Sequence, residues 1–157
     1  MTPKEKLNNG TAVIGVLGLG YVGLPLVLGF AEKNIKVIGF DVDQKKVDSI
    51  NAGQSYIQHI GPDRVGKAVS AGVLSATADF SRIPEVDVII ICVPTPLDLH
   101  HEPDLSYVRA TRDVILPHLR ANQLVCLEST TYPGTTDEEF LVPIQNKGFT
   151  LGTDFFL

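Results

Sequence analysis

The chain of 157 residues carries 13 Lys and Arg against 18 Asp and Glu, a formal net charge of −5, with no run of basic residues. That excludes a basic nucleic-acid or anionic-membrane surface, and a hydrophobic fraction of 44% with 20% charged residues suits one soluble α/β domain with a single sizeable core. Cys92 and Cys126 form neither a CxxC pair nor a zinc-type spacing; both lie in apolar runs, so reduced core thiols in the cytoplasm are expected.

Residues 1–10 are polar and read as a flexible leader. Residues 12–31 then contain no charge, a run long enough to span a bilayer as a helix. Gly15, Gly18, Gly20, Gly23, Gly29 and Pro25 fall inside it and weaken any such helix. No small-residue cleavage site of a signal peptide follows. The run divides instead into a buried strand over 11–17 and a helix over 21–33, with Val22, Leu26, Phe30 and Val27 on its inner face. A second strand follows at 35–40, then a helix over 43–52, capped by Asp43 and ended by Gly53.

Residues 54–60 read as a loop, 62–71 as a short helix stopped by Gly72, and 74–77 as a short strand. Residues 87–93, DVIIICV, are apolar on both faces, as in a covered parallel sheet. PTPLDLHHEPD at 94–104 holds three prolines and supports no regular element. Asp104 or Ser106 caps a helix through 119, with Leu105, Val108, Ile115 and Leu119 inward. A strand at 123–127 follows, then a turn, then a helix to 146 opened by a capping box of Thr135 and Glu138. Thr150 and Leu151 begin a last strand. Strands joined by helices require right-handed crossovers and a parallel sheet. The fold class is therefore α/β: a doubly wound parallel sheet, the Rossmann dinucleotide-binding layout, over residues 1–157.

The strand–turn–helix junction carries GLGYVG at 18–23, a GxGxxG pattern, and the next strand ends at Asp41, 18 residues after Gly23. Context makes this fingerprint informative. Gly18 permits a tight turn, Gly20 lets a pyrophosphate approach the backbone, and Gly23 lets the helix pack closely. The helix N-terminus offers unpaired N–H groups to phosphate. Asp41 is placed to accept from the adenosine ribose hydroxyls and to repel a 2′-phosphate, which favours NAD over NADP; Lys45 and Lys46 weigh against that preference.

Further segments join this motif in order: DVDQKKVDSINAG at 41–53, ICVPTPL at 91–97 and ESTTYPGTT at 128–136. Together they resemble the N-terminal NAD-binding domain of the UDP-glucose/GDP-mannose dehydrogenase family. Within it, SYIQHI at 55–60 and the segments 94–108 and 128–139 are most similar to bacterial UDP-N-acetylglucosamine 6-dehydrogenases, which supply uronic acids for surface polysaccharides. The resemblance implies that Gly18, Gly20, Tyr21, Val22 and Gly23 hold the pyrophosphate, that Asp41 binds the adenosine ribose with Lys46 beside it, and that Val93, Pro94, Thr95, Ser129 and Thr130 line the cofactor cleft. It also implies that Thr130 helps position the catalytic water. Glu128 and His59 depart from residues common in other branches and bear on substrate preference. The adjacent His100 and His101 lack a third ligand at useful spacing and read, with Asp98, Glu102 and Asp104, as a solvated loop; no metal is expected.

The family's reaction takes a sugar C6 alcohol through an aldehyde to a carboxylate with two NAD, the second step passing through a cysteine thioester. Cys92 and Cys126 match neither the position nor the context of that cysteine. The resemblance therefore implies a truncated chain whose central helix and substrate domain lie elsewhere, inactive alone. The intact protein is expected to be a cytoplasmic homo-oligomer acting on a UDP-sugar. UDP-glucose, UDP-N-acetylmannosamine and GDP-mannose remain alternative substrates. A stand-alone NAD-sensing module and another dehydrogenase of the same fold remain alternative readings.

Overall fold

A computed structural model describes residues 1–97 and 103–157. The readings of Asp98, His100, His101 and Glu102 lie outside the described residues. Six parallel strands are ordered β3-β2-β1-β4-β5-β6. They are β1 (Val13–Leu17), β2 (Lys36–Phe40), β3 (Leu74–Thr77), β4 (Val88–Ile91), β5 (Gln123–Leu127) and β6 (Phe155–Phe156). Helices α1 (Pro3–Asn8), α2 (Gly23–Glu32), α3 (Gln44–Asn51), α4 (Pro62–Ser70), α5 (Ser106–Ile115) and α6 (Val142–Asn146) complete the chain.

Both faces of the sheet are buried, for the period-two reason that the apolar strands indicate. Ile14 and Val16 of β1, with Val88 and Ile90 of β4, pack in one core with α2, α3 and α4. Leu17, Ile89 and Ile91 point the other way, into a second core with Val108 and Ile115 of α5 and with Phe140. The register Leu17↔Phe40, Leu17↔Ile91 and Ile91↔Leu127 brings the carboxyl ends of four strands level. Among the described residues no helix is long and apolar enough to cross a membrane.

Five local expectations need correction. Residues 1–10 are not a loose leader. Thr2 Oγ1 accepts from the Glu5 N–H at 3.3 Å, and Glu5 returns the bond to the Thr2 N–H at 2.8 Å, a capping box that starts α1. Lys6 Nζ then pins the helix to Asp87 at 2.6 Å. In α2 the inward set is Leu24, Val27, Leu28 and Ala31, with Leu26 and Phe30 at its flank; Val22 precedes the helix and is 63% exposed. The capping box expected of Thr135 and Glu138 does not form. The Glu138 N–H bonds the Gly134 carbonyl at 2.9 Å, so Thr135 already lies within the helix and its hydroxyl turns back to the Tyr132 carbonyl at 2.7 Å. That helix widens into a π turn at Asp137–Leu141 before α6. The helix expected through 119 gives way to a 3₁₀ turn at Leu116–His118, which contains Pro117. The last strand begins at Phe155, not Thr150, because Gly152 (φ +78°) turns the chain and Asp154 Oδ1 accepts from the Thr150 N–H.

Candidate functional site

The strand order reverses between β2-β1 and β4-β5, and β1 and β4 diverge to neighbours on opposite sides. Doubly wound sheets open a crevice at this point, beyond the strand carboxyl ends. Here it is a cleft of about 720 Å³. Gly18, Gly20, Tyr21, Val22, Asp41, Lys46, Val93, Pro94, Thr95, Ser129 and Thr130 all line it, while Gly23 packs behind it.

The glycine turn joins β1 to α2. Gly18 has φ +92°, and a Cβ there would lie 2.6 Å from the Cys92 carbonyl oxygen. A Cβ on Gly23 would lie 1.7 Å from the Gly18 carbonyl oxygen, whereas one on Gly20 would meet nothing within 4 Å. Gly18 and Gly23 therefore close the turn on the protein, and Gly20 keeps its cleft side open. Among the described residues, no protein acceptor takes the N–H of Gly20, Tyr21 or Val22, and no side chain caps α2. The start of a ten-residue helix thus faces the cleft with free donors.

Asp41, at the end of β2, is 6% exposed. Its carboxylate accepts from the Leu19 N–H at 2.8 Å and the Asp43 N–H at 2.9 Å, and pairs with Lys46 Nζ at 3.3 Å. Asp43 caps α3 as the sequence indicates, accepting from the Lys45 N–H at 2.9 Å. On the opposite wall, Ser129 Oγ donates to the Val93 carbonyl at 2.8 Å, which ties the ends of β4 and β5 together. Thr130 is exposed at the cleft. Burial, and then the charge of Glu128, push the Cys92 thiol up to about 11. Burial and a hydrogen bond to Glu128 at 3.0 Å push Cys126 up to about 11 as well. Both cysteines are free, and neither is set up as a thiolate nucleophile. Among the described residues no three His, Cys, Asp or Glu side chains converge as a metal site.

Some cleft residues escaped the sequence reading. Phe80 comes from a 3₁₀ turn at Phe80–Glu85 and packs on Phe40 with ring centroids 5.7 Å apart. Tyr107, Ala110, Thr111 and Val114 of α5 also line the cleft. Their i, i+3, i+4, i+7 spacing is a second apolar stripe beside the core stripe, and it was a usable signal. A dinucleotide fits these residues: open backbone at Gly20 for phosphate, an acidic acceptor at Asp41, and apolar walls for flat rings.

Comparison with known proteins agrees with this geometry. Residues 12–156 match the model of the UDP-glucose/GDP-mannose dehydrogenase family, NAD binding domain. The chain is 44% identical over 131 residues to UDP-N-acetyl-D-mannosamine dehydrogenase of Escherichia coli (strain K12), covering 81% of this chain and 30% of that protein. It superposes with a TM-score of 0.84 on a UDP-D-ManNAc dehydrogenase from Pyrococcus horikoshii, at 35% identity over 91% of this chain and 34% of the other. A ternary complex of GDP-mannose dehydrogenase from Pseudomonas aeruginosa gives a TM-score of 0.84 at 33% identity, over 90% of this chain and 34% of the other. The chain therefore spans about a third of the length of these relatives.

Proposed function

The chain belongs to the UDP-glucose/GDP-mannose dehydrogenase family and supplies its NAD-binding domain, and from that premise we propose that the protein serves a nucleotide-sugar 6-dehydrogenase that converts a C6 alcohol to a carboxylate with two NAD. The observation that carries this reading is the open backbone at Gly20 beside free N–H groups, with Asp41 next to it on the same cleft. In it, the N–H groups at 20–22 hold the pyrophosphate, and Asp41 with Lys46 holds the adenosine ribose. Val93, Pro94, Thr95 and Ser129 form the far wall, and Thr130 orients a water. NAD, when bound, supplies the hydride acceptor. The raised thiols suit neither Cys92 nor Cys126 to the thioester step, which in this reading falls to another cysteine of the full-length protein.

The substrate class in this reading is a UDP-linked N-acetylhexosamine, consumed in the cytoplasm by a homo-oligomer on a route to surface polysaccharide. Segments 55–60, 94–108 and 128–139 favour the N-acetylglucosamine epimer. The relatives named for UDP-N-acetylmannosamine favour the C2 epimer as the second reading. The test is turnover by the full-length protein with each epimer and with UDP-glucose, scored as NADH formed per sugar. Two NADH per UDP-N-acetylglucosamine, with the other sugars much slower, supports the first reading. Preference for UDP-N-acetylmannosamine replaces it with the second, and no turnover of any nucleotide sugar contradicts both.

A further inference from the structure

The residue between the first two glycines, Leu19, is fixed on every side. Its side chain is fully buried and packs so closely over Gly39 that a Cβ there would come within 2.8 Å of it. Its N–H donates to Asp41. Its carbonyl accepts from the hydroxyl of Tyr56, a residue 37 positions away in the loop between α3 and α4. Tyr56 is not among the residues lining the cleft. The loop is held in place because Ile57 and Ile60, on either side of its turn, are buried in the core beneath α2 and α4. Ser55 Oγ also closes the loop locally against the Ile57 N–H and carbonyl at 3.1 Å each.

The Leu19–Gly20 peptide is trans, so its C=O and N–H point in opposite directions. A carbonyl drawn toward Tyr56, outside the cleft, turns the Gly20 N–H into it. Gly20 lacks the Cβ that would restrain its φ, and among the described residues its N–H has no protein acceptor, so this peptide plane can flip unless its carbonyl is held. A flipped plane would present a carbonyl oxygen to the phosphates in place of a donor.

We propose that Tyr56 is a positioning residue for the phosphate-binding turn: its hydroxyl anchors the Leu19 carbonyl so that the Gly20 N–H stays aimed at the pyrophosphate. This rests on the proposed placement of the pyrophosphate at Gly20. Burial, and then the charges of Asp41 and Asp43, hold the phenol protonated well above its ordinary range, so the donor persists at all working pH values.

The test compares Tyr56→Phe with wild type in the full-length protein. Calorimetry measures NAD and ADP-ribose, and NMR titration measures adenosine. The substitution removes one hydroxyl from a ring that is 36% exposed, and a thermal melt verifies the fold. Loss of one preorganising hydrogen bond should weaken NAD and ADP-ribose about 3- to 10-fold, with adenosine changed less than about 2-fold. Unchanged affinity, or an equal loss for all three ligands, overturns the role of Tyr56. In wild type, the Gly20 amide resonance should move with ADP-ribose and stay with adenosine. If it does not move with ADP-ribose, the pyrophosphate placement itself fails, a result distinct from failure of the Tyr56 brace alone.

Discussion

At Gly23 an added Cβ would sit 1.7 Å from the Gly18 carbonyl oxygen, while at Gly20 it would meet no protein atom within 4 Å. Two glycines of one motif thus answer to different constraints, the first to packing and the second to ligand approach. Gly23→Ala should lower stability by about 3 kcal/mol or more, because α2 must shift off the turn. Gly20→Ala should leave the melting temperature within about 2 °C of wild type and still weaken NAD at least about tenfold, through lost phosphate approach. Paired thermal melts and NAD titrations check both. If Gly20→Ala loses stability without losing affinity, the open side of the turn has been misassigned.

At the scale of elements, α1 shows how a short polar segment is fixed by one buried carboxylate. Asp87, 2% exposed at the start of β4, accepts from Lys6 Nζ at 2.6 Å, from Arg120 Nη2 at 2.7 Å and from the Val13 N–H at 3.1 Å. Burial pushes its carboxyl up, but the hydrogen bonds from Lys6, Arg120 and Val13 outweigh burial and hold it below the usual carboxylate value. A depressed folded pKa contributes stability that is present above the unfolded value, near ~4, and is lost as pH falls through the folded value. Asp87→Asn should therefore cost about 3 kcal/mol at neutral pH, and the gap to wild type should close as pH falls below ~4. Denaturant unfolding at several pH values measures it; a gap that stays constant to acid would remove the ion pairs from the explanation. The same segment shows the limit of local sequence signals. Thr2–Glu5 and Thr135–Glu138 share the T-x-x-E pattern, yet only the first forms a capping box. The second fails because the Gly134 carbonyl takes the Glu138 N–H first, and because Arg109 and Arg112 anchor Glu139 to α5 at 2.8 and 2.6 Å, a tertiary contact that no four-residue pattern contains.

For the whole molecule, the parallel sheet, its strand order and the position of the cleft follow from information carried in the sequence. Alternating apolar strands and helices leave few topologies, and the glycine turn marks the crevice. The rest depends on contacts far apart in the chain. Tyr56 reaches Leu19 across 37 residues, and Phe80 enters the cleft from a 3₁₀ turn with no periodic signature. The phase of α2 is set by Gly23 against Gly18, not by the apolar run, whose residues all look alike. Lys46 also changes meaning in three dimensions. The sequence offers Lys46 both as a charge able to reach a 2′-phosphate and, through the resemblance, as a neighbour of Asp41; in the fold it is paired with Asp41 at 3.3 Å. A 2′-phosphate would therefore meet a carboxylate whose nearest cation is already engaged, a repulsion worth at least about 1.4 kcal/mol at such short range. Calorimetric titration of the full-length protein with NAD and with NADP tests this site most directly: NAD is predicted to bind at least about tenfold more tightly, and equal affinity, or a preference for NADP, would contradict the assignment of Asp41 and the cleft around it.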